Sequence, residues 1–242
     1  MRKNMKKFKT LVSTASVLGA TLISSGAVFA ASTTSSESNA NTPITTTLKA
    51  PSNPTNPTPP QPDGPNQNGN SNNNNNDVQG TFGIAYQPKA FSFTTDNLSS
   101  SGKQIIPVSN PHAGSPYNVG VKDMTHDTRG WTLTAQLNWT GSAIEGATIE
   151  TKNTSGSVNK NINTGGDFTA STDLVSTTDV TGTSNLSINN AAQTVMQGKQ
   201  GIIHNAVYDY ALGEVSLKIP NTGIVSAGSY SGNVNWNLQV TP

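Results

Sequence analysis

The chain has 242 residues, only 11% of them charged, and no cysteine. Without cysteine there is neither a disulfide nor thiolate chemistry, and stability rests on packing alone. Five of the 14 basic residues lie in the first thirty positions, where there is no acid. The rest carries nine bases against 13 acids, a net charge of −4, which argues against nucleic acid as a partner, since that needs clustered Lys and Arg.

Residues 1–30 have the grammar of a secretory signal peptide. Arg2 to Lys9 is basic, Leu11 to Ile23 is modestly apolar, and Val28-Phe29-Ala30 supplies a cleavage site. The apolar run is shorter than the roughly 20 residues that span a bilayer. Export, with no membrane insertion after cleavage, is therefore expected. The chain ends at Thr241-Pro242 with no sorting motif, so retention at a surface would be non-covalent.

Residues 31–77 hold eight prolines, from Pro43 to Pro65, and then the run Asn72 to Asn76. A segment this poor in aliphatic side chains buries too little to offset its ordering entropy. It is expected to be a disordered, partly polyproline-II linker.

Residues 78–242 read as the folded unit. Phe82, Ile84 and Tyr86 alternate, as do Tyr117, Val119 and Val121. Phe91 with Phe93 predicts a further short strand. Trp131, Leu133, Ala135, Leu137 and Trp139 share one parity, with Thr132, Thr134, Gln136 and Asn138 on the other. Residues 147–151 and the set Val215, Leu217, Ile219 predict two more strands. Residues 152–190 are polar, with scattered apolar anchors. Residues 190–197 are the one helix candidate, capped by Asn190 and stopped by Gly198. The clearest period of two closes the chain. Tyr230, Val234, Trp236, Leu238 and Val240 face one way; Ser231, Asn233, Asn235, Asn237 and Gln239 face the other. The length of that run predicts a bulge or bend at Gly232. Short alternating runs punctuated by Gly, Pro and Asn imply an all-β class. The expected architecture is a single antiparallel, sandwich- or barrel-like domain with at most one short helix, preceded by the linker.

Signals for chemistry are weak. Asp123, His126 and Asp127 share a turn but lack the glycine and closing glutamate of a calcium loop, so no metal is assigned. His112, His126 and His204 are the only histidines, and no Gly-x-Ser-x-Gly elbow occurs. Glu145, Glu150, Asp209 and Glu214 are the candidate acids for glycoside cleavage, at separations a sequence does not give. The reading is a non-enzyme without cofactor. Parity places Trp131 and Trp236 in otherwise aliphatic rows, which favours core packing over stacking on a sugar.

Two Trp-x-Leu motifs, Trp131-Thr132-Leu133 and Trp236-Asn237-Leu238, sit in a connecting pattern. Val119-Gly120-Val121-Lys122-Asp123 leads through Arg129-Gly130 into the first. Leu217-Lys218-Ile219-Pro220 and Ala227-Gly228-x-Tyr230 lead into the second, before Pro242. In this order the chain resembles WxL-domain surface proteins of Gram-positive bacteria. The resemblance implies non-covalent attachment to the cell wall with peptidoglycan as ligand, and a surface complex with a membrane-anchored WxL-interacting protein. It makes Trp131, Leu133, Trp236 and Leu238 the wall- or partner-binding motif. The alternative reading is an outward-facing adhesin or protein-binding module, with the polar region 152–190 as its surface.

Overall fold

The alternation in β4 (Asn118–Asp123) has an unusual result: every residue in it is buried, polar ones included. In the computed structural model, which describes residues 41–67, 69–109 and 111–241, both faces of this strand are covered. The predicted signal segment lies outside the described residues, and residues 41–46 are exposed and irregular.

From residue 47 the chain forms one compact unit of antiparallel sheets. The other strands are β1 (Asn73–Asn75), β2 (Phe82–Pro88), β3 (Gln104–Pro107), β5 (Gly130–Thr140), β6 (Thr148–Thr151) and β7 (Asn159–Asn161). They continue with β8 (Leu174–Ser176), β9 (Val180–Gly182), β10 (Ser187–Ile188), β11 (Gln193–Gly198), β12 (Ala206–Ala211), β13 (Val215–Ile219) and β14 (Ser231–Thr241). One sheet runs β1-β2-β4-β12-β7-β8, a second β10-β6-β13-β3 and a third β14-β5-β11-β9. The helical content is a single turn, α1 (Ala170–Asp173), and a 3-10 turn at Thr222–Ile224. The all-β antiparallel expectation holds. The layers are three sheets around a shared core, to which Val119, Tyr208 and Tyr210 come from the first, Ile149 and Val215 from the second, and Trp131, Leu133 and Met196 from the third.

Three local expectations need correcting. Residues 190–197 are not a helix: β11 occupies 193–198 and pairs with β5. Ala and Gln favour a helix only weakly, and tertiary pairing outweighs that preference. A bulge between Thr194 and Met196 lets consecutive Val195 and Met196 both point inward, which hid the strand's period. Phe93 makes only an isolated bridge to Val108. Gly232 carries no bulge, because β14 pairs with β5 in continuous register from Ser231↔Thr140 to Thr241↔Gly130. Glycine is needed there for close approach: a Cβ would lie 2.6 Å from the Asn138 carbonyl oxygen.

The segment expected to be a free linker is laid down as a strap from Pro54 onwards. Pro57, Pro59, Pro60 and Asn72 are buried, and β1 pairs with β2. Proline has no N–H, so this segment offers mainly carbonyl acceptors. The outer face of the six-stranded sheet supplies the donors. Lys122 Nζ donates to the carbonyls of Pro54 (2.7 Å) and Val78 (3.0 Å) and to Asn56 Oδ1 (2.8 Å). Asn161 Nδ2 donates to the Thr58 carbonyl, and within the strap Asn73 Nδ2 donates to that of Pro60. Burial lowers the Lys122 ammonium pKa, and nearby Asp77 opposes the shift. Replacing Lys122 by Met leaves the Pro54 carbonyl and Asn56 Oδ1 without this donor and the Val78 carbonyl with the Asn56 amide alone. It is expected to destabilise the protein by on the order of 3 kcal/mol in urea titration and to open residues 54–78 to limited proteolysis.

Beneath the strap lies a buried carboxylate. Asp209 accepts from Tyr86 Oη (2.8 Å) and from Asn118 Nδ2 (2.9 and 3.0 Å to its two oxygens). The Tyr86 ring lies directly on Gly120, where a Cβ would collide with it. Desolvation is the main influence on Asp209 and raises its pKa from 3.8 to about 7, against the lowering effect of those hydrogen bonds. The unfolded chain releases this proton near the ordinary value, whereas the folded chain keeps it to about pH 7. The native state thus binds more protons across that window, and stability falls as pH rises through it. The predicted loss is on the order of 4 kcal/mol. About 3 kcal/mol of it falls between pH 5 and pH 8, where urea unfolding checks it, with Asp209→Asn expected to flatten the slope.

Candidate functional site: the paired Trp-x-Leu strands and the cleft beside them

β5 and β14 lie side by side and bring both Trp-x-Leu motifs onto one face of their sheet. Leu133 stands directly opposite Leu238. Trp131 pairs across with Val240, and Trp236 with Ala135. All four motif residues are thus neighbours in two antiparallel strands, although about a hundred residues separate them in sequence.

Their environments differ. β5 is an interior strand, flanked by β14 and β11, and its Trp131 and Leu133 are fully buried. The Trp131 ring lies 6.2 Å from His204 and 6.0 Å from Tyr208, centroid to centroid, in tilted packing. Its Nε1 faces Gly198, where any Cβ would run into the indole, and makes no hydrogen bond. His204 is also buried, with Nδ1 against Tyr208 Oη (3.0 Å) and Nε2 against the Lys199 carbonyl (2.9 Å). β14 is an edge strand; Val234, Trp236 and Leu238 are only half-buried, and its polar row is exposed.

Trp236 instead lines a cleft of about 900 Å3 between residues 87–98 and residues 225–234. Phe91, Phe93, Trp139, Tyr230 and Trp236 give it an aromatic lining. Trp139 and Tyr230 meet edge to face with centroids 6.3 Å apart, and Tyr230 Oη donates to the Ser226 carbonyl. Lys89 and Asp96 are the charged residues among its lining. Its walls are therefore aromatic and aliphatic surface, small hydroxyl side chains and loop backbone. That chemistry suits a neutral, amphipathic ligand better than an anionic polymer.

A family model described as WxL domain, surface cell wall-binding, matches residues 29–242. The chain belongs to the WxL family. No curated protein and no solved structure matches it. WxL is a domain family described by cell-wall binding at the surface, and it covers the strap, the three sheets and both motifs of this chain. Among the described residues, no helix is long and apolar enough to cross a membrane.

The other candidate groups of this WxL chain lie elsewhere. Asp123 Oδ1 accepts from the Thr125 backbone N–H and Oγ1, and Asp127 pairs with Arg129 at 2.9 Å, so the turn's carboxylates engage its own residues. Among the described residues no cluster of three metal-ligating side chains occurs. Glu145, Glu150, Asp209 and Glu214 are not among the residues that line the cleft. Sequence reasoning placed Trp139 and Tyr230 in apolar rows but missed that they join Phe91 and Phe93 around an opening. The available signal was an aromatic residue at the end of each row, Trp139 closing the β5 row and Tyr230 opening the β14 row.

The two tryptophans should respond differently to truncation. Trp131→Ala is expected to cost about 3–5 kcal/mol, as for a fully buried indole. Trp236→Ala is expected to cost roughly 1–2 kcal/mol, in keeping with partial burial. Thermal and urea unfolding of the two variants measures the difference.

Proposed function

We propose that this WxL domain is exported by residues 1–30 and held non-covalently at the cell wall, with the aromatic cleft beside β14 as its contact and peptidoglycan glycan as its ligand. The observation that carries this reading is the cleft itself: five aromatic residues around an opening of about 900 Å3, on a domain whose family binds cell wall. Aromatic faces pack against the C–H faces of sugar rings, while hydroxyls and loop carbonyls meet their polar edges. The sparse charge of the lining favours a glycan backbone over a phosphate-rich wall polymer. Trp131 and Leu133 act as scaffold, and Trp236 acts at the surface. The domain binds its ligand without transforming it. A membrane-anchored WxL-interacting protein is the partner this reading allows alongside the wall.

Sedimentation with purified peptidoglycan stripped of protein and anionic polymer tests the proposal. Wild type should co-sediment, and Tyr230→Ala with Trp236→Ala should lower the bound fraction at least tenfold, a loss of about 1.4 kcal/mol or more in binding. Circular dichroism must confirm that the variant is folded. Wild-type sedimentation by the folded double variant would remove the cleft from the account. A wild type that pellets only with protein-bearing walls would replace peptidoglycan by a protein ligand.

A further inference from the structure

Among the described residues, six strands form the outer edges of the three sheets. β1, β8 and β9 have 3 residues each, β10 has 2 and β3 has 4. β14 has 11. An edge presents unpaired backbone N–H and C=O groups to any passing strand, and proteins blunt edges by keeping them short, by charge, by proline or by bulges. β14 uses none of these. Its sequence from Ser231 to Thr241 contains no charged residue and no proline, and its pairing with β5 is free of register shifts. The apolar row Val234, Trp236 and Leu238 is only half-covered, and Val240 is 41% exposed.

We infer that β14 pairs antiparallel with β14 of a second copy of the chain, on a dyad at Trp236. Trp236 is the midpoint of the strand. Pairing about it sets Asn235 opposite Asn237, Asn233 opposite Gln239 and Ser231 opposite Thr241 on one face. The other face sets Val234 opposite Leu238, Gly232 opposite Val240 and Trp236 opposite its own copy. Ser231 with Thr241 and Trp236 with its copy are favourable cross-strand pairs, and in the remaining pairs amides meet amides and Val234 meets Leu238, with no like charges opposed. Self-pairing through a dyad brings like residues near one another, so charged edges oppose it. A strand without charge is compatible with its own copy in the way a Lys- or Glu-bearing edge is not. The result is one eight-stranded sheet across two chains, with the polar row forming an amide ladder. The contact is isologous and uses up the one long edge of each chain, so assembly closes at two instead of propagating. Nothing in this pairing depends on the identity of the wall ligand.

Light scattering on the purified protein over a range of concentrations tests the inference. Wild type should show twice the chain mass, falling toward the single-chain mass on dilution. Asn235→Lys with Asn237→Lys sets like charges opposite one another across the dyad and should give a single chain. Asn235→Asp with Asn237→Asp should do the same, and mixing the two variants should restore the doubled mass. Within the chain these positions stand opposite Gln136 and Thr134 on β5, so the substitutions meet no charge there, and circular dichroism confirms an intact fold. A wild type of single-chain mass at every concentration overturns the inference. So do charged variants that stay dimeric, and so does a monomer whose β14 instead takes up a strand from another protein.

Discussion

The unbroken ladder between β5 and β14 is the constraint on which the rest of this domain depends. It joins the middle of the chain to its end and fixes register over 11 residue pairs. A slip of one residue would turn Trp236 and Leu238 outward and Asn235 and Asn237 inward. The ladder also decides the fate of the two motifs. Because β11 flanks β5 on its other side, Trp131 is sealed among Tyr208, His204 and Gly198. Because no strand of the same chain flanks β14, Trp236 is only half-covered and meets the cleft. The same two-residue spacing thus yields a scaffold tryptophan on one strand and a surface tryptophan on the next.

A second constraint acts across the six-stranded sheet. Its inner face is aliphatic and aromatic, as a core face should be. Its outer face presents Asn118, Lys122, Asp209 and Asn161, all buried under the strap. Burying such groups is costly unless each finds a partner. Backbone carbonyls of the strap, asparagine side chains and the Tyr86 hydroxyl supply those partners, and a segment that has little hydrophobic surface is ordered by hydrogen bonds. Asp209 lacks a cationic partner, which is why its proton is held so far above the ordinary range. The strap and the carboxylate are therefore linked: the polar groups that order the one define the environment of the other.

Much of the sheet architecture was legible in sequence. Alternation found β2, β4, β5, β13 and β14, because each has one apolar and one polar face. β12 escaped detection: Ala206 to Tyr210 are all buried, so the strand has no polar period to display. The strap escaped for a different reason, since its partners are backbone carbonyls and amides whose contacts leave no trace in hydropathy. The site was half legible. Parity put Trp131 and Trp236 each in the apolar row of its strand. It did not distinguish an interior strand from an edge strand, because strand order is a property of the whole chain. The cleft depends on residues 87–98 approaching residues 225–234, a long-range contact that no local pattern announces.

The central claim is that the two motifs divide their work, with Trp131 holding the core and Trp236 meeting the wall. Fluorine NMR of the protein labelled with fluorotryptophan tests it most directly, since the chain has 3 tryptophans and each gives its own resonance. Soluble peptidoglycan fragments should shift the resonances of Trp236 and Trp139 and leave that of Trp131 in place. Saturable binding that moves Trp131 alone, or none of the three, would contradict the account.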